Sequence, residues 1–332
     1  NMSKSSLGSE PPVSDGARVG DSGRRQSIDY AIYGKIIVDD IRLRSGEQVR
    51  SVLGGGGPQA AFGARIWSDS VGLLTRSGTD LGVDQAAALR DLDVDLDGWR
   101  QFPDIPTPRT LMAYDADEVL AGHSLTSRDD WERLLSQPLD LPSQYRQPKA
   151  MHLITELPDE PMVEMALALR AGGTLVSLEP LPVSLSGTNW QGMIDLFAQI
   201  AIVTPDWPSA TQIAGCDDPV SVLRYWTNLG PEFVAIRHGA RGSYVWSRDR
   251  DEAWHIPAVP TDVVDPTGAG NAYGGGLCVG WTEHRDPRLA GAYGAISASM
   301  LLRVVGLPAM SPTLREQAAA LLGATVDAAK RL

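Results

Sequence analysis

A chain of 332 residues with 43% hydrophobic and 21% charged residues is long enough for one large α/β domain with a small appendage, and its core needs no disulfide or metal staple. The formal net charge of −12 comes without a clustered basic patch, since Arg24-Arg25 and Arg42/Arg44 are too sparse, which argues against nucleic acid or an anionic membrane as partner. Two distant cysteines, Cys216 and Cys278, form no Cys-x-x-Cys or His-rich cluster, so no zinc site is readable and a reducing, cytoplasmic compartment is expected.

Residues 1–27 are rich in Ser, Gly and charge, and read as a flexible tail rather than a signal peptide. Order is expected from Ile28, with a strand over Ile28–Val38 interrupted by Gly34, then a hairpin over Ile41–Val52 around Ser45-Gly46. The glycine run Gly54–Gly57 precedes a helix over Gln59–Trp67. A strand over Val71–Thr75, a helix over Val83–Leu92 and a strand over Thr107–Tyr114 follow, and Asp115–Lys149 has no clear period. From Met151 the pattern is regular. Strands at Met151–Thr155, Thr174–Leu178, Ile200–Val203 and Phe233–Arg237 alternate with helices at Pro158–Leu169, Trp190–Gln199 and Pro219–Asn228. Hairpin strands at Ser243–Trp246 and Ala253–Ile256 lead to three helices, Gly270–Thr282, Pro287–Val304 and Pro312–Lys330. This alternation predicts a mostly parallel sheet with helices on both faces, and the early hairpin strands predict a small β flap beside it. No apolar run reaches the ~18 residues of a membrane span.

The sharpest local signal is Asp265-Pro266-Thr267-Gly268-Ala269-Gly270-Asn271, a glycine turn opening directly into a helix. The first N–H groups of a helix lack internal partners and carry the positive end of its dipole, and glycines let a phosphate approach them. Glu179 ends a buried-looking strand, where open α/β sheets place ligands, and is a candidate base or substrate contact. Asp39 and Asp40 are adjacent on a strand and point to opposite faces, so at most one of them faces a pocket. Gly55–Ala60 fits a loose dinucleotide pattern with Asp80 at the acidic position, but it follows a hairpin rather than the first βα turn. Arg109, in a flap strand, is a candidate contact for an anionic substrate; His238 is expected to pack.

The segment Val264–Gly276 resembles the second signature of the PfkB, or ribokinase, family, Asp-Thr-x-Gly-Ala-Gly-Asp. Gly34 with Asp39, the run Gly54–Arg65, Gly72–Gly82, Thr204-Pro205-Asp206, Val234–Val245 and Ala290–Ser299 resemble further family segments in the family's order, over roughly residues 30–310. The resemblance implies a single ribokinase-like three-layer domain over 28–332, with a β lid from about 39–53 and 104–120 through which homodimers form. It implies an ATP-dependent kinase for a hydroxyl of a sugar, nucleoside or related small molecule, with ATP and Mg2+ as cofactors and a monovalent cation as a further candidate. Gly268, Ala269 and Gly270 would form the anion hole. Asp265, Thr267, Gly239, Arg241, Gly242 and Asp206 would contact the nucleotide, with Asp206 also on magnesium, and Asp39, Gly55, Gly56, Arg109 and Glu179 would contact the acceptor.

The departures are concerted. Pro266 replaces Thr, and Asn271 stands where the family has its catalytic Asp. Asp206-Trp207-Pro208-Ser209 replaces Asn-x-x-Glu, and Pro58 falls near a sugar-binding Asn. With Glu179-Pro180-Leu181-Pro182 and Gly55–Arg65, they resemble a divergent branch seen among fungal proteins. An amide is no base near neutral pH, and a general base is typically worth about 10²–10⁴-fold in rate. Asn271 therefore implies a weak or altered kinase, a ligand-binding or scaffold protein without turnover, or other transfer chemistry at the same anion hole.

Overall fold

The computed structural model describes residues 27–114, 120–181 and 190–332. Outside the described residues lie the expected tail up to residue 26, positions 115–119 of the expected lid, and Pro182 of the Glu-Pro-x-Pro segment.

Strand β1 (Tyr30–Tyr33) is buried throughout. Its residues alternate between two cores, Tyr30 and Ile32 on one face and Ala31 and Tyr33 on the other. At Gly34 a Cβ would stand 2.5 Å from the Cα of Gly57, so a side chain has no room. The chain leaves its sheet there and resumes as β2 (Ile37–Arg42) in a second sheet. The strand expected over Ile28–Val38 with an interruption at Gly34 is thus two strands of different sheets. β2 and β3 (Gln48–Gly54) form the expected antiparallel hairpin, with Ile41 opposite Val49.

There follow α1 (Gly57–Arg65), β4 (Val71–Gly78), α2 (Val83–Arg90), β5 (Trp99–Phe102), β6 (Arg109–Tyr114), β7 (Leu120–Ser124) and α3 (Arg128–Leu135). The regular half comprises β8 (Ala150–Thr155), α4 (Pro161–Ala171), β9 (Leu175–Pro180), α5 (Trp190–Phe197), β10 (Ile202–Val203), α6 (Trp207–Ala214), α7 (Pro219–Asn228) and β11 (Phe233–Arg237). The chain closes with β12 (Ser243–Ser247), β13 (Glu252–Ile256), α8 (Ala269–His284), α9 (Pro287–Leu301), α10 (Pro312–Asp327) and β14 (Lys330–Arg331).

The main sheet runs β14-β13-β12-β11-β10-β9-β8-β1-β4-β5. From β11 to β5 all neighbours are parallel; β12, β13 and β14 extend it antiparallel. One face carries α1, α8 and α9 through Phe62, Leu277 and Ile296, and the other carries α4 to α7 through Met162, Phe197 and Trp226. The second sheet, β3-β2-β6-β7, takes its strands from the segments 37–54 and 109–124. Helix α6 is an addition to the elements expected from sequence, although its signal is present. Asp206 caps it by accepting from the N–H of Ser209 at 2.8 Å, and Pro208 lies in its first turn. The stretch without a clear period, 115–149, contains β7 and α3.

Candidate active site

The site gathers at the carboxyl ends of β1, β8, β9 and β11, where an open α/β sheet leaves its crevice. Its centre is the start of α8. Asp265 is buried, and its carboxylate accepts from the N–H of Thr267 at 3.0 Å and of Gly306 at 3.4 Å, which holds the turn in place. Gly268 then takes a left-handed conformation (φ 79°, ψ 0°), and no side chain caps the helix. A Cβ at Gly268 would meet Gln59 Cγ at 2.4 Å, so the turn rests on the first turn of α1. The two helices then cross in backbone contact, a Cβ at Gly275 falling 1.9 Å from the carbonyl oxygen of Ala60. Small residues at this crossing bring the two glycine loops together.

Asn271 joins them to the sheet. Its carboxamide lies against Gly56 (φ 89°), where a Cβ would stand 3.1 Å from Nδ2. Nδ2 donates to Glu179 Oε1 at 3.0 Å. The same oxygen receives Arg237 Nη1 at 2.8 Å, and Oε2 lies 3.8 Å from His152 Nε2. His152 is fully buried, with Nδ1 2.9 Å from Ser177 Oγ. Glu179 is 1% exposed. Burial alone raises its carboxyl, but the Arg237 guanidinium, then His152 and the Asn271 amide, hold it below the usual carboxylate range. The Arg237 guanidinium also lies against the mouth of α8, since a Cβ at Gly270 would sit 1.9 Å from Nη1. A guanidinium paired with Glu179 thus stands beside the positive end of a helix.

Asp39 approaches from the second sheet. It is 3% exposed, accepts a hydrogen bond from the Thr110 hydroxyl, and crowds Gly54, whose Cβ would fall 1.8 Å from Oδ2. Burial pushes its carboxyl up to about 6; the Thr110 hydroxyl works against this, and the charges of Asp265 and Asp40 add to it. Gly55 packs on the backbone of Lys35. Lys35, paired with Glu156 and 5.4 Å from the centre of the Trp131 ring, stands beside this loop.

The remaining expected residues are more peripheral. Arg109 on β6 is half exposed, 3.1 Å from Ser51 Oγ and 3.9 Å from Asp40. Gly239, Arg241 and Gly242 form the β11–β12 turn, where Arg241 is exposed and its carbonyl accepts from His255 at 2.7 Å. His238 stacks on Trp207 with ring centres 4.3 Å apart. Asp206 is half-buried, one carboxylate oxygen engaged in capping α6. No group of three or more acidic, His or Cys side chains among the described residues forms a metal cage. Sequence reasoning did not single out Arg237, His152, Lys35 or Thr110.

The family description for pfkB carbohydrate kinases matches residues 27–314. The chain belongs to the pfkB family. Among curated proteins, this pfkB chain is 24% identical to a cytidine kinase of Thermococcus kodakarensis over 258 residues, 78% of the chain and 90% of that protein. It is 23% identical over 329 residues to an uncharacterized protein of Schizosaccharomyces pombe, covering 86% and 87% of the two chains. Among solved structures, the aminoimidazole riboside kinase of Salmonella enterica, complexed with aminoimidazole riboside and an ATP analog, superposes with a TM-score of 0.66 at 21% identity, covering 88% of this chain and 99% of that one. The fold is therefore ribokinase-like, as the sequence implied. No helix among the described residues is long and apolar enough to cross a membrane.

Proposed function

We propose that this pfkB chain transfers the γ-phosphoryl group of ATP to a hydroxyl of a nucleoside, a sugar or a related small molecule. The observation that carries this reading is the uncapped start of α8 with the Arg237 guanidinium laid against Gly270. Phosphoryl transfer has a loose transition state with charge spread over the equatorial oxygens, so positioned positive charge does most of the work. The backbone of Gly268, Ala269 and Gly270 would receive the transferring group, with Thr267 and Asp265 shaping the turn. Gly239, Arg241 and Gly242 would border the nucleotide.

The acceptor would lie over Gly55 and Gly56, its hydroxyl held by Asp39, with the described residues of the second sheet, 37–54 and 109–114, beside it. The bond from the acceptor oxygen to the γ-phosphorus forms as the bond from that phosphorus to the bridging oxygen breaks, and ADP leaves. Asn271 orients the hydroxyl but takes no proton, so the proton leaves with the transferred phosphoryl group or to water. Magnesium would arrive with ATP, neutralising phosphate charge, and Asp206, one of whose oxygens caps α6, would hold it through water. Similarity to a cytidine kinase favours a nucleoside acceptor.

A second reading, binding without turnover, is favoured by the amide at 271. Incubation with ATP labelled at the γ-phosphate and a panel of nucleosides and sugars separates the two. Slow label transfer to one acceptor class supports the kinase. MgATP binding without transfer supports the second reading, and neither binding nor transfer sinks both.

A further inference from the structure

The structure assigns to Glu179 the carboxylate that the mouth of α8 lacks, making Glu179 and Asn271 an exchanged pair in which the acid stands on β9 and the amide on the helix. This rests on the reading that α8 opens onto the reacting groups. A carboxylate only accepts hydrogen bonds, so Glu179 Oε1, 3.0 Å from the Asn271 carboxamide, fixes which end of the amide faces it. The nitrogen turns to Glu179. The carbonyl oxygen occupies the other branch of the amide and is left as the acceptor for a ligand hydroxyl. Glu179 lies behind Asn271, almost wholly buried and bound to Arg237, so it acts through its neighbours and is a positioning residue.

The pairing with Glu179 accounts for an amide, rather than an acid, at 271. A carboxylate in place of the amide would stand within about 3 Å of Glu179, where the two cannot both ionise freely. Arg237 is the guanidinium that reaches the pair, and its Nη1 is already engaged at 2.8 Å. The partners are therefore complementary as they stand. Complementarity survives when Asn271→Asp is combined with Glu179→Gln, and is lost when Asn271→Asp is made alone.

The test is a double-mutant cycle on the full chain with Asn271→Asp, Glu179→Gln and the pair together, read as melting temperature from pH 5 to pH 8 and as MgATP affinity. The charged and titratable groups against the pair are Arg237 from β11 and His152 from β8, and both are present in all four proteins. Asn271→Asp is expected to melt several degrees below the parent at pH 8 and to recover as pH falls, because a shared proton removes the repulsion. The double variant is expected to regain most of that loss at pH 8. Additive shifts, or a loss independent of pH, would overturn the exchange. Asn271→Leu, similar in size and uncharged, guards against simple misfolding: it is expected to lose less than Asn271→Asp at pH 8 with no recovery at pH 5, and equal behaviour of the two would overturn the proposal. Loss of MgATP binding in all proteins, the parent included, would sink the kinase reading while the coupling in melting temperature still decides the exchange.

Discussion

Two buried carboxylates, Asp39 on the second sheet and Glu179 on the main sheet, have surroundings that drive them in opposite directions. Asp39, on the second sheet, has a hydroxyl for its partner and two further carboxylates in its field, and it is pushed up to about 6. Glu179, at the end of β9, has a guanidinium and an amide and is held down. The residue types are nearly the same and so is the burial, 3% against 1% exposed. What differs is whether a cation was buried with the acid. The second-sheet side is thus poised to change protonation near neutral pH, while the α8 side keeps a fixed pattern of charge.

The contrast is broken most severely at Arg237. Arg237→Met removes the partner of a buried carboxylate, which typically costs about 3–5 kcal/mol. A large fall in the urea midpoint is expected, together with loss of nucleotide affinity; an unchanged midpoint would mean that Glu179 finds another partner.

Asp39 provides the second test. Its folded value lies above the ordinary value near 4, so the fold favours the neutral form. Stability from this group is greatest below about pH 4 and is lost as pH rises through about 6, to the extent of about 3 kcal/mol. Asp39→Asn is expected to flatten that part of the stability–pH curve in chemical denaturation. Under the kinase reading the same variant raises the acceptor KM, and in the parent that KM improves as pH rises through about 6.

Gly270→Ala sharpens the comparison at the mouth itself. The added methyl would stand 1.9 Å from Arg237 Nη1, so the guanidinium must move. MgATP binding is expected to weaken at least tenfold by calorimetry. The smallest effect belongs to Arg109→Ala. It is half exposed and its contacts lie at the surface, and a melting shift corresponding to less than about 0.5 kcal/mol is expected.

The sequence carried the fold well where periods were clean. The strand–helix alternation after Met151 and the three closing helices appear within a few residues of the expected bounds. The run at 115–149 hid β7 and α3, because short amphipathic elements in a polar stretch show too little period. The turn before α8 was legible because its chemistry is local, a glycine pair at the start of a helix. The Arg237–Glu179–His152 cluster was not, because its members sit on three strands that only parallel pairing brings together. One signal was available. Leu175–Glu179 and Phe233–Arg237 are largely apolar runs each ending in a single charge of opposite sign, as two nearby carboxyl ends of parallel strands would need. The break at Gly34 was legible, but its cause was not: it comes from the backbone of Gly57 packed against it, far along the chain.

Under the kinase reading, the start of α8 and Arg237 together grip a polyphosphate. Calorimetric titration of the parent chain and Gly270→Ala with MgATP tests it most directly. The account predicts one site per chain in the parent and a loss of at least tenfold in affinity in the variant. Equal affinity in both, or no heat from either at millimolar nucleotide, would contradict it.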